Sequence, residues 1–368
     1  MLFQTIFVYS SLLIVMFLCG IVSAKRTANT TISCSFWKWE NLLPILFFAV
    51  IMGLRYDVGQ DHLTYLFSYK NGGGYIERYE PIFKFVASEF REFGLHPFWF
   101  FAFWAFIQIF FVYYALKDER YLMPFVAISL ITGEYFLYWM NGIRQELAAC
   151  IFFFSIIFIV DKKSIKYLLC CLLAFCFHKT AIILIPLYPI LVRGNDLTIN
   201  RIFQYLLYIV AFIIALTDVD VISHIIPSLS FLEYTSYANY LSEGSINHFN
   251  DVTVKGNSIA YKLLFFINLI IIFYSDKMKQ YFSNRKFTII YNLYYWGSVF
   301  VLIFINNLVF ERPFRYFNLF NMVMISYTLF YLWKNSKRRQ NLFFFVTILS
   351  LLLLLFARII KNYPFNFI

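Results

Sequence analysis

The stretch GLRYDVGQD, residues 53–61, directly follows an apolar run that ends at Leu54. It places one arginine and two aspartates in a short glycine-containing segment, where a membrane helix is predicted to meet water. Because charge is costly to bury in hydrocarbon, a charged cluster beside an apolar helix is a candidate functional site. The alternative is an ordinary polar loop at a helix end, and this stretch alone leaves both interpretations open.

The composition indicates a membrane protein. Of the 368 residues, 61% are hydrophobic and 23% aromatic, whereas only 14% are charged. Repeated apolar runs, most of them near the ~20 residues that a helix needs to cross the hydrocarbon, are typical of a polytopic helical protein. We therefore predict one all-α transmembrane domain over residues 1–368, with about 11 apolar segments. The apolar runs are 2–23, 41–54, 97–116, 121–140, 143–160, 167–191, 201–217, 259–275, 288–309, 316–333 and 341–357.

The remaining composition excludes several functional classes. The net charge of +11 is not accompanied by a basic patch on a soluble scaffold, so no binding to nucleic acid is predicted. Loop bias and anionic lipid head groups explain the positive charge better. The six cysteines lie mostly within apolar runs and lack the spacing of a disulfide framework or a zinc site. We assign no residue to a metal ion and predict no cofactor, and the sequence leaves a metal requirement open.

Lysine and arginine are unevenly distributed between the apolar runs. Six loops together hold 18 Lys and Arg against 6 Asp and Glu, and the rest of the chain holds 13 against 14. The positive-inside rule places these six loops in the cytoplasm. They are loops 25–40, 117–120, 161–166, 192–201, 276–286 and 334–340.

The apolar run 167–191 determines whether this topology is consistent. If it crosses the membrane once, the basic loop 276–286 lies outside. His178 and Lys179 interrupt the run near its middle, which favours a hairpin of two short helices that returns to the cytoplasmic side. The alternative is a single long span, with Lys179 buried or extending its amine to one face.

With the hairpin, the outer face contains two long loops, 55–96 and 218–258. In the first, the segment that begins at Pro81 has a broad apolar side and suits a helix, since proline is favourable in the first turn. We predict an interfacial helix that lies on the membrane. The second loop is polar and acidic, and its sequence does not decide between a lid and a solvated excursion.

Charged residues from five segments are predicted to share the outer level of the membrane. Arginine binds phosphate oxygens in a bidentate manner, and fixed cations stabilise a departing diphosphate without a metal. A carboxylate or imidazole can accept the proton of an attacking sugar hydroxyl. This combination suits sugar transfer from a polyprenyl diphosphate.

Several of these residues also have structural interpretations. Arg312 and Arg315 could be interfacial anchors, and His178 could be a hydrogen-bonded core histidine. Glu134 lies inside an apolar run and should face the bundle interior with a partner, for which Arg144 is the nearest candidate. That contact could be a structural ion pair rather than part of a catalytic site.

The motifs resemble the EpsG-type family of bacterial polysaccharide polymerases, which are Wzy-like integral membrane proteins. The resemblance covers roughly the N-terminal half of the chain and rests on the order and spacing of short motifs. These motifs are GLRYDVGQD at 53–61 followed by Tyr65, YEP at 79–81 with Phe83, NGIRQ at 141–145, FHKTA at 177–181 leading to Pro186, and more weakly the turn Arg312–Arg315.

The resemblance implies a GT-C-like fold in the bacterial cytoplasmic (inner) membrane, with the active site on the extracytoplasmic face. Such enzymes transfer the growing glycan from its undecaprenyl diphosphate to a sugar hydroxyl of an incoming lipid-linked repeat unit. The products are capsule, O-antigen or exopolysaccharide, and no nucleotide sugar is used. The implied partners are the undecaprenyl-diphosphate-linked oligosaccharide, membrane lipid, and a chain-length regulator and flippase of the same pathway.

On this interpretation each candidate residue receives a role from its charge and position. The candidate bases are Asp61 or Asp57, then Glu80, and His178 could serve as a base or bind phosphate. The candidate diphosphate- or substrate-binding residues are Arg55, Arg144, Gln145, Lys179, Arg312 and Arg315.

Other functions remain open at this point. The same chemistry suits an O-antigen ligase or a polyprenyl-phosphate-sugar glycosyltransferase. A lipid-linked oligosaccharide flippase is the alternative from another class. A transporter is expected to show repeated halves with charges near the midplane. Here the charges lie mostly at one face and no repeat is visible, so transport ranks second.

Overall fold

The computed structural model describes residues 2–28, 35–72, 79–198, 200–217, 258–306, 311–360 and 363–367, and this part of the chain is mostly helical. The α-helices are α1 (Leu2–Ala28), α2 (Trp39–Gly53), α3 (His62–Asn71), α4 (Pro81–Glu92), α5 (Pro97–Ala115), α6 (Met123–Thr132), α7 (Tyr135–Asn141), α8 (Ile143–Val160), α9 (Ser164–Phe175), α10 (Leu187–Leu191), α11 (Arg201–Leu216), α12 (Ile259–Phe282), α13 (Arg285–Phe304), α14 (Asn318–Lys334) and α15 (Arg338–Leu354). Short 3₁₀ helices cover Arg120–Leu122, Lys179–Leu184 and Arg312–Phe317, and a π-helical turn covers Leu355–Ile360.

Among the described helices, six are long and apolar enough to cross a membrane, namely α1, α5, α8, α12, α13 and α15. The pair α6 and α7 passes the same test together but is bent by 59°. Helices α2, α9 and α11 are apolar but shorter. The all-helical, polytopic membrane fold is therefore confirmed, whereas the GT-C-like arrangement and the number of about 11 segments stay predictions.

The fourth apolar run, 121–140, does not form the one continuous span that the sequence suggested. It is broken between α6 and α7, at Gly133 and Glu134. Glu134 has a φ of 70°, a left-handed conformation that costs a residue other than glycine about 1–3 kcal/mol. Strained backbone of this kind persists only where the surrounding structure imposes it.

The helix predicted in the first outer loop is present as α4. Pro81 lies in its first turn, and Phe83 packs on Trp104 with ring centroids 4.9 Å apart. On the other side, Phe85 is 63% exposed and Phe93, just after the helix, is 75% exposed. An apolar exposed side suits a helix at a membrane surface, where we expect it to lie.

Three of the predicted cytoplasmic loops meet at one end of the bundle, which we call the basic end. Lys286 donates to the Ala115 carbonyl at 2.7 Å and forms a salt bridge with Glu119. Lys279 forms a salt bridge with Asp196 at 2.6 Å. These contacts join loop 276–286 to loops 117–120 and 192–201.

Arg285 shows that the segment between α8 and α11 is a hairpin. Its guanidinium donates to the carbonyls of Ile159 at 3.2 Å and of Val192. The first carbonyl lies just before the segment and the second just after α10. The segment is broken at His178, between α9 and the following 3₁₀ helix. It therefore leaves the basic end and returns to it, as predicted.

The opposite end contains the 53–61 stretch, and we call it the Asp61 end. The C-terminal tail packs here, since the Tyr56 amide donates to the Asn366 carbonyl at 2.8 Å. The Tyr9 hydroxyl donates to the Tyr363 carbonyl at 2.9 Å, which joins the tail to α1. The outer loop predicted over 218–258 lies outside the described residues except for Ser258.

Candidate functional site

Arg144, in the first turn of α8, lies where four of the sequence motifs meet. Its guanidinium forms a salt bridge with Glu80, lies 4.2 Å from the centre of the Tyr79 ring, and interacts with the Tyr65 hydroxyl. The Glu80 carboxylate also accepts the backbone N–H of Lys179 at 3.4 Å. Segments that are far apart in sequence are thus held together around one arginine.

Asp61 lies at the N-terminus of α3, and its side chain is exposed. Within the described part of the chain its carboxylate makes no hydrogen bond or salt bridge. Although the side chain reaches solvent, partial desolvation by the surrounding protein raises its pKa. The positive charges of Arg312, Arg315 and Arg144 lower the pKa but do not cancel this effect. A carboxylate that is open to a ligand and has a raised pKa is a stronger proton acceptor than an ordinary aspartate.

The backbone of Arg312 is held by Gln145, whose amide donates to the Arg312 carbonyl at 2.5 Å. The side chain of Arg312 is exposed and forms no hydrogen bond or salt bridge with any residue that the structure describes. Gln145 therefore positions the turn, and the guanidinium of Arg312 is available to a ligand. Lys179 is likewise exposed, with only its backbone bound to Glu80.

Arg315 is surrounded by carboxylates and an aromatic ring. It forms a salt bridge with Glu311 at 3.3 Å and lies 5.8 Å from the centre of the Tyr138 ring, and Glu146 lies within electrostatic reach. Burial lowers the pKa of Arg315, but Glu311 and the neighbouring Tyr138 and Glu146 outweigh it, so the pKa is raised and the cation persists. The spacing of four between Glu311 and Arg315 is a signal that the sequence contained.

His178 is part of a hydrogen-bonded triangle. Its Nδ1 lies 2.6 Å from the Thr180 hydroxyl and 3.1 Å from the Tyr316 hydroxyl, and the two hydroxyls are 2.9 Å apart. Burial, together with Arg144 and Arg312, lowers the pKa of His178 to about 3. An imidazole with so low a pKa is a weak proton acceptor at neutral pH, which favours a positioning role.

Residues 39–368 match the EpsG family. The chain belongs to the EpsG family. This membership indicates a polysaccharide polymerase in general terms. Comparisons with curated proteins and with solved structures found no match. The match extends well beyond the N-terminal half to which the sequence motifs pointed, and it includes the turn Arg312–Phe317 and the C-terminal tail.

Two candidate residues of this EpsG-family protein make no hydrogen bond or ion pair with Arg144 or Glu80 in the part of the chain that the structure describes. Arg55 is buried, donates from Nε to the His62 Nδ1 at 3.3 Å and from Nη2 to the Met140 carbonyl at 3.1 Å, and burial lowers its pKa to about 9. It therefore supports the 53–61 stretch from inside the bundle. Asp57 is exposed, has a φ of 52°, and makes no ion pair with the described residues.

The 53–61 stretch packs directly against the 141–145 motif. Gly59 has a φ of 98°, and a Cβ atom there would overlap the Asn141 side-chain oxygen. Only glycine accepts both the conformation and the close approach. This contact fixes the backbone two residues before Asp61.

Glu134 lies in a different polar environment from the one predicted. Its expected partner Arg144 forms its salt bridge with Glu80 instead. Glu134 is buried and lines a cavity of about 60 Å³ together with Glu311, Tyr138 and Asn321. The cavity is adjacent to the cationic site, because Glu311 and Tyr138 also contact Arg315.

Side chains from several helices form the polar wall of this cavity. The Asn321 amide donates to the Asn268 side-chain oxygen and to the Ser298 hydroxyl, both at 3.0 Å. The Tyr135 hydroxyl donates to the Asn321 side-chain oxygen at 2.6 Å. Asn268 also donates to Tyr208 at 2.9 Å. Buried polar groups are tolerated in a membrane protein where they satisfy one another or border a wet cavity.

Proposed function

We propose that this EpsG-family protein polymerises undecaprenyl-diphosphate-linked oligosaccharide repeat units on the extracytoplasmic face of the bacterial cytoplasmic membrane. The observation that supports this most is the meeting of an open carboxylate, Asp61, with Arg144, Arg312 and Arg315 at one end of the bundle. These four residues come from three separate segments of the chain, and the basic loops lie at the opposite end.

In the proposed reaction, a hydroxyl oxygen of the incoming repeat unit attacks the anomeric carbon of the growing glycan. The bond between that carbon and the diphosphate oxygen breaks, and its electron pair leaves with the lipid diphosphate. Asp61 accepts the hydroxyl proton as the new glycosidic bond forms. Arg312 stabilises the charge that develops on the leaving diphosphate, with Arg144, Arg315 and Lys179 alongside it.

The other candidate acids are less suited to this task. Glu80 is engaged by Arg144 and by the Lys179 amide, so we assign it to holding Arg144 in place. His178 is kept neutral by its low pKa and is hydrogen-bonded to Thr180 and Tyr316. We assign to it the positioning of the hairpin tip.

The test is glycan elongation by purified protein in detergent that contains lipid-linked repeat units. Asp61→Asn should lower the rate by about 10²–10⁴-fold, the usual contribution of a general base. Asp57→Asn separates the two candidate bases of this stretch, because it also changes an exposed carboxylate, and it should leave the rate close to that of the wild type. Equal activity of wild type and Asp61→Asn would remove Asp61 from the mechanism.

The broken helices favour one second candidate, a lipid-linked oligosaccharide flippase. Interrupted helices are a feature of secondary transporters, and the structure has breaks at Glu134 and at His178. The detergent assay separates the two functions, since a transporter binds the substrate but leaves it unchanged. Chain growth without any membrane gradient supports the polymerase.

A further inference from the structure

An apolar groove of about 390 Å³ begins beside the cationic turn Arg312–Phe317. It lies between the returning arm of the hairpin and helix α13. Its polar lining is minor, and its walls are aliphatic and aromatic. The side chains that form most of its walls are Ile183, Leu187, Ile190, Trp296, Phe300 and Phe314.

The turn Arg312–Phe317 belongs to the groove and to the cationic site at once. Phe314 and Phe317 line the groove, whereas Arg312 and Arg315 lie within electrostatic reach of Asp61 and lower its pKa. Phe314 stacks on Phe300 of α13 with ring centroids 5.1 Å apart. The apolar groove and the arginines therefore border the same short turn.

The groove runs from the Asp61 end toward the basic end. Helix α13 begins at the basic end, and the groove follows it from Phe300 back to Asn292, a length of about 12 Å at the helical rise per residue. The loop residue Leu197 closes the groove there. Its N–H donates to the Asn292 side chain at 3.0 Å, and its carbonyl accepts from Trp296 at 3.3 Å.

Gly297 separates this groove from the polar cavity that contains Glu134. It lines both spaces, as does Phe317. A Cβ atom at Gly297 would overlap the Phe317 Cβ, so the backbone of α13 directly touches the turn. The cationic turn thus has an apolar space on one side and a polar space on the other.

We propose that the groove binds the polyprenyl chain of the lipid substrate, with its diphosphate on Arg312 and Arg315. This inference rests on the proposed function. An amphiphile with an anionic head and a long apolar tail requires adjoining cationic and apolar surfaces, and each buried methylene adds to its affinity. A bilayer phospholipid has no diphosphate, so it gains less binding energy from the two arginines.

The test measures how affinity depends on the length of the polyprenyl chain. Full-length protein in detergent is titrated with undecaprenyl diphosphate and with methyl diphosphate, which share the head group. Ile190→Trp and Ile183→Trp fill the groove, at positions that are 51% and 38% exposed. Ile213→Trp is the control, because Ile213 is 53% exposed on α11 and does not line the groove.

Wild type and Ile213→Trp should bind undecaprenyl diphosphate at least about tenfold more tightly than methyl diphosphate, equivalent to about 1.4 kcal/mol. The groove variants should lose this advantage while their affinity for methyl diphosphate is unchanged. If they keep the advantage, the groove does not hold the chain. If phosphatidylglycerol displaces undecaprenyl diphosphate at equal concentration, the groove is a general lipid site and the proposal is wrong.

The same experiment separates this inference from the proposed function. If wild-type protein elongates glycans but the groove variants keep their preference for the long chain, only the groove assignment fails. If wild-type protein neither binds a diphosphate nor elongates glycans, the proposed function fails and the groove assignment fails with it.

Discussion

The two ends of the bundle both carry cations, but they use them differently. At the basic end, Lys286 is paired with Glu119, Lys279 with Asp196, and Arg285 donates to two backbone carbonyls. At the Asp61 end, Arg312 is exposed and its side chain has no partner in the part of the chain that the structure describes. These three cations hold loops together, whereas the Asp61 end keeps a cation and a carboxylate side by side and available to a ligand.

The cations of the Asp61 end also differ among themselves in how many of their N–H groups are already used. Arg55 resembles the cations of the basic end, because its donors are used by His62 and Met140. Arg144 and Arg315 are intermediate, since each is paired with one carboxylate and retains further N–H groups. Within the Asp61 end, the availability of a charge, rather than its presence, therefore distinguishes a residue that can bind a ligand from a structural contact.

The largest contrast is expected between exposed cations at the two ends. Arg312→Gln should lower the elongation rate by about 100-fold, since removal of one donor from a preorganised anion site has that effect. Lys277→Gln changes an exposed lysine at the basic end and should leave the rate within about twofold, as surface charges contribute little. Steady-state kinetics of the purified variants measure both. Equal losses would mean that the two ends do not differ in this way.

A smaller contrast is expected between two partly buried ion pairs. Glu80→Gln and Glu119→Gln each remove the charge that faces a partly buried cation, so each should lower stability by about 1–3 kcal/mol. Only Glu80→Gln should also lower kcat, by about tenfold, because it releases an arginine of the site. Thermal unfolding and elongation rates measured on the same samples separate the two effects. A matching loss of kcat in Glu119→Gln would contradict the assignment.

The smallest effect concerns pH. Asp61 must lose its proton to act, so activity should rise with pH through its pKa, which is raised above that of an ordinary aspartate. His178 has a pKa of about 3 and stays neutral above it, so it should add no inflection near pH 6.5. The kcat/KM profiles of wild type and His178→Gln should therefore rise over the same range. An inflection near pH 6.5 that His178→Gln abolishes would assign the base to His178.

The pKa of His178 also has a consequence for stability. Because it is lowered on folding, the folded protein binds fewer protons than the unfolded chain between about pH 3 and pH 6.5. The free energy of unfolding should therefore fall as the pH falls through this window. His178→Gln should reduce that dependence in acid unfolding experiments.

Much of the fold could be predicted from patterns that report directly on physics. The charge bias of the loops predicted the basic end. The number of membrane crossings needed to keep loop 276–286 on the cytoplasmic side predicted the hairpin at His178, which the contacts of Arg285 confirm. The apolar side that begins at Pro81 predicted α4. Each of these features follows from local composition, which a single sequence contains.

The remaining features depend on tertiary contacts. Nothing in the local sequence distinguishes Arg55, which belongs to the 53–61 stretch and is buried, from Arg312, which is exposed. The bend at Glu134 was not predicted, because the apolar run 121–140 suited one continuous helix, whereas the backbone at Glu134 is left-handed. The partner of Arg144 was wrongly expected to be Glu134, because proximity in sequence favoured it over Glu80.

The most direct test determines on which side of the membrane each end of the bundle lies. Single cysteines at Tyr56, Arg312 and Lys277, in a variant that lacks the six native cysteines, are labelled with a membrane-impermeant maleimide on spheroplasts. Tyr56→Cys and Arg312→Cys should react before permeabilisation, and Lys277→Cys only afterwards. Labelling of Tyr56→Cys and Arg312→Cys from opposite sides of the membrane would contradict the account.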